Sequence, residues 1–196
     1  MAGKAGHGQP FRIALTGGST VGSVYERLAE SELDWPNWHV WWSDERDVPA
    51  DDDRSNEKLA REKLLSRVFV PEEQIHPLRS TEVELPERFD LILLGIGPDG
   101  HTASLFPGRP ELEATDPIVY VPEAGWEPYV PRYSFSLPLL NAGPTVAFIV
   151  GGEQKRDVLA CVLAGDESLP AARVHAPETY VLADRAASSA SPTSST

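Results

Sequence analysis

The sequence predicts an α/β fold with an open, mostly parallel, doubly wound sheet and helices on both faces. Strand-like and helix-like runs alternate along the chain, as expected of successive β-α-β units. The run Asp90–Leu94 (DLILL) is apolar without interruption, which is typical of a strand covered on both faces. Polar or glycine-rich segments directly follow four predicted strands, at the sheet edge where such folds bind ligands.

The first half of the chain supplies two strands and two helices. Phe11–Leu15 (FRIAL) is the first predicted strand, and the next is His39–Trp42 (HVWW). The second predicted helix covers Asn56–Phe69, with Ser55 as its N-cap. The first helix is predicted from apolar residues at helical spacing, namely Val21, Val24, Tyr25 and Leu28.

The second half continues the alternation after Asp90–Leu94. Tyr133–Leu137 is a candidate strand, Thr145–Val150 (TVAFIV) is a strong one, and Tyr180–Leu182 is a short last one. A helix is predicted over Glu153–Ala164, ending at Gly165. Its predicted inward face consists of Val158, Leu159, Val162 and Leu163.

Length and composition predict one folded domain over residues 10–185. Residues 1–9 and the Ser/Thr-rich residues 186–196 are expected to be disordered because they are poor in apolar side chains. A single cysteine, Cys161, excludes an intrachain disulfide and a cysteine-based zinc site. With no signal peptide and no apolar run of membrane-spanning length, a cytoplasmic protein is expected. A monomer is the favoured oligomeric state.

The net charge is −13, from 17 basic and 30 acidic residues. Such a surface repels nucleic acids and anionic membranes, so neither is an expected partner. An anionic ligand would need a site where the local charge is reversed. Basic residues near the motifs are therefore informative.

The segment Gly17, Gly18, Ser19, Thr20 joins the first strand to the first helix. Glycines allow backbone N–H groups to approach an anion, and a helix N-terminus adds a favourable partial charge. The segment is therefore a candidate phosphate-binding loop, although an ordinary tight turn with a Ser or Thr cap remains open.

Two carboxylates and a guanidinium follow the second strand, in Ser43–Arg46. Arg46 could hold a phosphate, a carboxylate or a developing oxyanion, with Asp44 beside it. A solvated loop ion pair is the competing interpretation. Arg132 and Lys155 are further candidate anion contacts, and Lys155 stands in the first turn of a helix, where a cation opposes the helix dipole.

The segment Gly95–Gly100 fits the pattern GxGxxG, which also occurs in dinucleotide-binding sites. Pro98 and Pro107 crowd the helix that such a site requires, so nicotinamide binding is disfavoured. His101 follows the segment directly and is the candidate general base, with Asp99 placed to orient it. Gly97, Asp99 and Gly100 are candidate substrate-binding positions in the same loop.

These motifs resemble those of the 6-phosphogluconolactonase family, in the glucosamine/galactosamine-6-phosphate isomerase superfamily. The similarity runs from about Phe11 to Ala187. It rests on the following strings: LTGGST, WWSDERDVPADDDRSN, LLGIGPDGHTASLFPG, PRYSFSLPLLNAG and VGGEQKRDVL.

The resemblance implies a Rossmann-like, sugar-phosphate isomerase/deaminase-like fold, here without the family's usual N-terminal strand–helix unit. It implies hydrolysis of 6-phosphogluconolactone to 6-phosphogluconate, the second step of the oxidative pentose phosphate pathway, with no metal or organic cofactor. It assigns the general-base role to His101 and places Asp44 and Arg46 in the active site. It assigns substrate or phosphate contacts to the Gly17–Thr20 loop, Arg132 and Lys155.

Two alternatives stay open. A glucosamine-6-phosphate deaminase-like isomerase would share both glycine-rich loops, but such enzymes resemble DGHIAFNEP where this chain has DGHTASLFP. A non-catalytic or weakly active sugar-phosphate-binding protein could also use the same fold. The presence of His101, Asp44 and Arg46 argues against the non-catalytic alternative.

Overall fold

A computed structural model describes residues 8–188 of the chain. Its strands are β1 (Phe11–Leu15), β2 (Trp38–Trp42), β3 (Asp44–Arg46), β4 (Leu91–Leu94), β5 (Ile118–Val121), β6 (Arg132–Phe135), β7 (Thr145–Val150) and β8 (Glu178–Ala183). Its α-helices are α1 (Val21–Ala29), α2 (Asn56–Ala60), α3 (Leu137–Ala142), α4 (Arg156–Leu163) and α5 (Arg185–Ser188).

The centre of the molecule is a five-stranded sheet in the order β2-β1-β4-β7-β8. Every neighbouring pair in it is parallel. The predicted α/β fold class, with its mostly parallel sheet, is confirmed. Strands β4 and β7 lie in the interior of the sheet and carry fully buried residues such as Ile92, Leu94 and Val146. This burial explains why their sequences are continuously apolar.

A second, three-stranded antiparallel sheet in the order β3-β6-β5 lies beside the first. The sequence predicted no strand over Ser43–Arg46, and a solvated loop ion pair was the competing interpretation, but residues 44–46 form β3. Ser43 joins the two sheets, because its N–H donates to Leu15 O at 2.7 Å and its carbonyl accepts from Phe135 N at 2.8 Å. The start of the polar strand β3 is thereby anchored to both sheets.

Several boundaries in the later half differ from the expected ones. The short last strand, predicted as Tyr180–Leu182, is observed as the longer β8, Glu178–Ala183. The candidate strand Tyr133–Leu137 is observed as β6, one residue earlier at its start, and ends at Phe135. Leu137 instead begins α3, because Pro138 fits the first turn of a helix but cannot continue a strand ladder. Leu163, expected to face inward, is 66% exposed, and Leu159 is the buried residue of α4.

The predicted helix Asn56–Phe69 is shorter than expected. Ser55 is its N-cap as predicted, since its Oγ accepts from Lys58 N at 3.2 Å. The α-helical part ends at Ala60 and continues as a π-helical turn, Arg61–Leu65. The predicted helix Glu153–Ala164 is α4 preceded by a 3₁₀ turn over Glu153–Lys155, and Gly165 follows it with φ +80°.

The expected disordered ends fall mostly outside the described residues, namely 1–7 and 189–196. Gly8 is described, and its N–H donates to Asp34 Oδ2 at 2.9 Å. Residues 186–188, which we expected in the disordered tail, are helical instead, because Asp184 Oδ1 caps the turn by accepting from Ala187 N at 2.7 Å. Within residues 8–188, no helix is long and apolar enough to cross a membrane.

Candidate active site

A cavity of about 390 Å³ opens at the carboxyl ends of the parallel strands. We call it the rim cavity. It contains segments that follow β1, β2, β4 and β7, as the position of the motifs predicted. The predicted site residues in its wall are Gly17, Gly18, Ser19, Thr20, Asp44, Arg46, Gly97, His101, Arg132 and Lys155. Asp99 and Gly100 lie outside the wall, although Asp99 contacts His101.

The loop after β1 brings backbone N–H groups to the rim cavity. Gly18 has φ +105°, a conformation that favours glycine. A Cβ atom on Gly17 would lie 1.8 Å from Asn56 Oδ1, so any other residue there would have to displace the buried Asn56 side chain. Helix α1 begins at Val21 with no side-chain cap and no acidic residue in its first turn. Its N-terminal N–H groups are therefore suited to binding an anion.

His101 is held by the loop after β4. Its Nδ1 lies 2.5 Å from Asp99 Oδ1, and its backbone N–H donates to the same oxygen at 3.1 Å. Burial raises the pKa of Asp99, but the hydrogen bonds from His101 outweigh that effect and keep this pKa below its usual value. A Cβ on Gly97 would lie 2.0 Å from His101 Nδ1, so the ring occupies space that only a glycine leaves open. The Asp99 contact leaves Nε2 as the nitrogen available for chemistry.

Asp44 is more deeply embedded than a free carboxylate in a loop would be. It is 4% exposed. Its Oδ2 accepts from Ser104 Oγ at 2.7 Å, and its Oδ1 accepts from Asn56 Nδ2 at 3.2 Å. Both carboxylate oxygens are thus engaged by the protein, an arrangement that suits Asp44 to fixing the site better than to exchanging protons.

Two guanidinium groups reach the rim cavity. Arg46 Nη1 donates to Arg54 O at 2.5 Å. Arg132 is 2% exposed, and its Nη2 donates to Trp126 O at 2.8 Å and to Pro128 O at 2.9 Å. Burial lowers the pKa of Arg132 from its ordinary value. Among residues 8–188, nothing accepts a hydrogen bond from the buried Nε of either arginine. Each guanidinium group therefore has one buried donor without an acceptor among the described residues.

Lys155 ends the 3₁₀ turn before α4. Its Nζ donates to Ile96 O at 2.6 Å, and burial lowers the pKa of the ammonium group. An ammonium has three donors, so this contact leaves others for a ligand. Both the burial and the position at a helix N-terminus disfavour a cation, and a bound anion would offset both.

Sequence reasoning missed three buried polar residues that organise the site: Glu45, Asn56 and Ser104. The Glu45 carboxylate accepts from the backbone N–H of Arg46, Asn56 and Glu57 at 2.6–2.7 Å and so ties β3 to the start of α2. Burial raises the pKa of Glu45. Ser104 also accepts from Arg132 Nη1 at 3.3 Å. Glu45 had a sequence signal as one of the two carboxylates in Ser43–Arg46, but was given no role; Asn56 and Ser104 were signalled only by the strings that carry the family resemblance.

Residues from two further segments line the rim cavity without having been predicted. Trp126 and Glu127 come from the segment before β6, which Arg132 holds through its two backbone carbonyl contacts. Gln154 comes from the turn before α4. Within residues 8–188, no three His, Cys, Asp or Glu side chains are grouped closely enough to hold a metal ion.

The fold and the site define a sugar-phosphate isomerase or lactonase class, and the comparisons with known proteins agree. Residues 2–182 match the sequence model of a protein family described as glucosamine-6-phosphate isomerases/6-phosphogluconolactonase. The chain belongs to this family.

Particular relatives lie on the lactonase side of the family. A 6-phosphogluconolactonase from Synechocystis is 39% identical over 174 residues, which cover 78% of this chain and 71% of that protein. The crystal structure of 6-phosphogluconolactonase from Thermotoga maritima is similar with a TM-score of 0.80 and 32% identity, covering 89% of this chain and 85% of the other. The structure of the 6-phosphogluconolactonase from Trypanosoma brucei is similar with a TM-score of 0.75 and 26% identity. The match covers 91% of this chain and 85% of the other.

Proposed function

We propose that the protein is a 6-phosphogluconolactonase, a carboxylic ester hydrolase that converts 6-phospho-D-glucono-1,5-lactone to 6-phospho-D-gluconate in the cytoplasm. The observation that carries this proposal is the pairing, in one cavity, of an imidazole oriented by Asp99 with a cationic, N–H-rich wall. A lactone is an internal ester, so its opening needs an activated water, stabilisation of an oxyanion and a proton for the leaving oxygen.

The phosphate of the substrate is assigned to the cationic wall. The Gly17–Thr20 loop and the free N-terminus of α1 offer backbone N–H groups, and Lys155 adds a charge. In a protein of net charge −13, this wall reverses the local sign for a dianionic group. Binding there sets the distance between the lactone ring and His101.

The chemical step is assigned to His101. Nε2 takes a proton from a water molecule, and the water oxygen forms a bond to the carbonyl carbon C1. The resulting oxyanion is stabilised by Arg46, with the backbone N–H groups of the Gly95–Gly100 loop as the competing donors. The bond between C1 and the ring oxygen then breaks, and the ring oxygen takes the proton from His101. The new carboxylic acid ionises and releases a proton to solvent.

Asp99 has the supporting role in this scheme. Its carboxylate accepts from Nδ1–H, which fixes the tautomer that leaves Nε2 as the basic nitrogen. It also stabilises the imidazolium formed in the first step, by the same logic as the carboxylate of a hydrolase triad. Asp44 and Ser104 keep Arg132 and β3 in place rather than exchanging protons.

The test is lactone hydrolysis above the buffer rate. Freshly made 6-phosphogluconolactone opens unaided in water, so each rate is measured with and without protein in the same buffer. Formation of 6-phosphogluconate that scales with protein concentration and saturates with substrate supports the proposal. Binding of 6-phosphogluconate without any acceleration would establish the non-catalytic binder instead. Release of ammonia from glucosamine 6-phosphate would establish the deaminase.

A further inference from the structure

One hydroxyl group holds the base of the candidate phosphate-binding loop. Tyr25 lies on α1 and is 0% exposed. Its Oη donates to Thr16 O at 2.6 Å and accepts from Thr16 N at 3.0 Å. A single side-chain atom therefore satisfies both the carbonyl and the N–H of one buried residue.

The position of these two contacts closes the loop. The chain leaves β1 at Leu15, passes through residues 16–20 and enters α1 at Val21. One helical turn later, the Tyr25 hydroxyl returns to Thr16, the first residue of the loop. The loop is thus held at both ends, by β1 and α1, and across its base by Tyr25.

Closure matters because the loop presents backbone N–H groups rather than long side chains. A side chain can adjust to a ligand by changing rotamer, whereas a backbone donor is aimed only by the path of the chain. Burial raises the pKa of Tyr25 above its ordinary value, so the hydroxyl keeps the proton that it donates to Thr16 O.

We infer that Tyr25 is a positioning residue, whose hydroxyl clamps Thr16 so that the Gly17–Thr20 loop is preformed for the phosphate group. The inference rests on the proposed function for the identity of the substrate. The expected effect on anion binding is independent of the proposed function, because inorganic phosphate probes the same loop. Among residues 8–188, both hydrogen bonds of the Tyr25 hydroxyl are made to Thr16, so it acts through the loop.

The experiment compares Tyr25→Phe with the wild-type protein in lactone hydrolysis and in calorimetric binding of 6-phosphogluconate and of inorganic phosphate. Phenylalanine keeps the buried ring and removes only the hydroxyl. We expect KM and both dissociation constants to rise about tenfold, the scale of one unmade buried hydrogen bond. We expect kcat to change less than about threefold, because His101 lies on a different loop.

Two control variants separate positioning from general effects. Tyr180→Phe makes the same chemical change on the edge strand β8, where the hydroxyl is exposed and lies 3.5 Å from Glu178 Oε2. Leu28→Ala weakens the packing of α1 on the core without touching Thr16. Both controls are expected to bind phosphate and 6-phosphogluconate as the wild type does, even though Leu28→Ala lowers the melting temperature.

Three results would overturn the inference. One is unchanged anion binding in Tyr25→Phe. Another is a loss of anion binding in Leu28→Ala equal to that in Tyr25→Phe when the two variants have the same melting temperature. That result would mean that the stability of α1 alone sets the affinity. The third is a fall in kcat with KM unchanged. Weakened phosphate binding in Tyr25→Phe supports the inference even if the wild-type protein does not hydrolyse the lactone, so the two proposals fail separately.

Discussion

Asp99 Oδ1 lies 2.5 Å from His101 Nδ1 and also accepts the backbone N–H of His101. The two residues are separated by one glycine, Gly100, with φ +82°. This left-handed position turns the chain so that the carboxylate and the imidazole two residues apart face each other. The pairing is local in sequence and lies at the centre of the proposed reaction.

Replacing the imidazole tests the chemical step directly. We expect His101→Asn to lower kcat by about 10²–10⁴-fold, the usual scale of general acid–base catalysis. KM should change little, because the proposed phosphate contacts are on other loops. Rates must be corrected for spontaneous opening of the lactone. A variant with near wild-type kcat after that correction would remove His101 from the general-base role.

Gly97 provides a steric test of the same group. A Cβ at this position would lie 2.0 Å from His101 Nδ1 and 2.6 Å from Asp99 Oδ1, so Gly97→Ala must displace the ring. We expect kcat to fall at least about tenfold, since displacements on the order of 1 Å cost that much or more. The control is Gly22→Ala, whose Cβ would meet Leu59 Cδ1 at 3.7 Å, an ordinary contact. Equal activity of the two variants would contradict the ring geometry.

The lowered pKa of Asp99 predicts that the stability of the fold depends on pH. Its folded-state pKa is below the usual value, so the ionised carboxylate stabilises the fold above the unfolded-state pKa of about 3.9. That contribution is lost as the pH falls through the lower, folded-state pKa. The difference in unfolding free energy between the wild type and Asp99→Asn should therefore be greatest above about pH 5 and shrink on acidification. Urea denaturation between pH 3 and pH 7 measures this difference in unfolding free energy. A difference that grows as the pH falls would contradict the prediction.

Lys155 and Arg132 are expected to differ when truncated. Lys155→Ala removes a charge that makes one protein contact, so KM should rise about tenfold or more with kcat nearly unchanged. Arg132→Ala leaves Trp126 O and Pro128 O without their donor, so it should also lower the unfolding free energy by about 2–4 kcal/mol. Kinetics together with thermal denaturation of both variants separate binding from stability. A stable Arg132→Ala protein would mean that these carbonyls find water instead.

The parallel sheet could be predicted from sequence because each strand carries its own signal. DLILL and TVAFIV are apolar throughout, and β4 and β7 are indeed interior strands. The glycine loop and His101 were found for a related reason. They follow strands directly, and strand direction alone places them on one edge of the sheet.

The second sheet could not be predicted in this way. β3 is only three residues long, and all three are charged. It is a strand because Ser43 is bonded to both sheets and because backbone donors from α2 satisfy Glu45. Those stabilising contacts come from residues distant in sequence, which no local pattern reports.

The contacts of Ser104 and Asn56 have the same origin. Ser104 reaches Asp44 and Arg132, and Asn56 reaches Asp44, all across elements that are separate in sequence. A lone Ser in a loop is typical of a turn and gives no hint of a buried network. The early end of the helix at Leu65 is likewise a tertiary effect, for its π-helical turn packs against α1.

The pairing of β3 with β6 has a consequence for the order in which the protein acquires its site. Residue 44 pairs with residue 134, so a chain emerging from the ribosome can build β1 and β2 long before β3 has a partner. Until β6 arrives, Asp44 and Glu45 belong to an unpaired polar segment, and Arg132 has yet to be synthesised. Contacts between such distant segments form slowly because a long loop must close first. A nascent or prematurely terminated chain could therefore hold native secondary structure while having no catalytic competence at all.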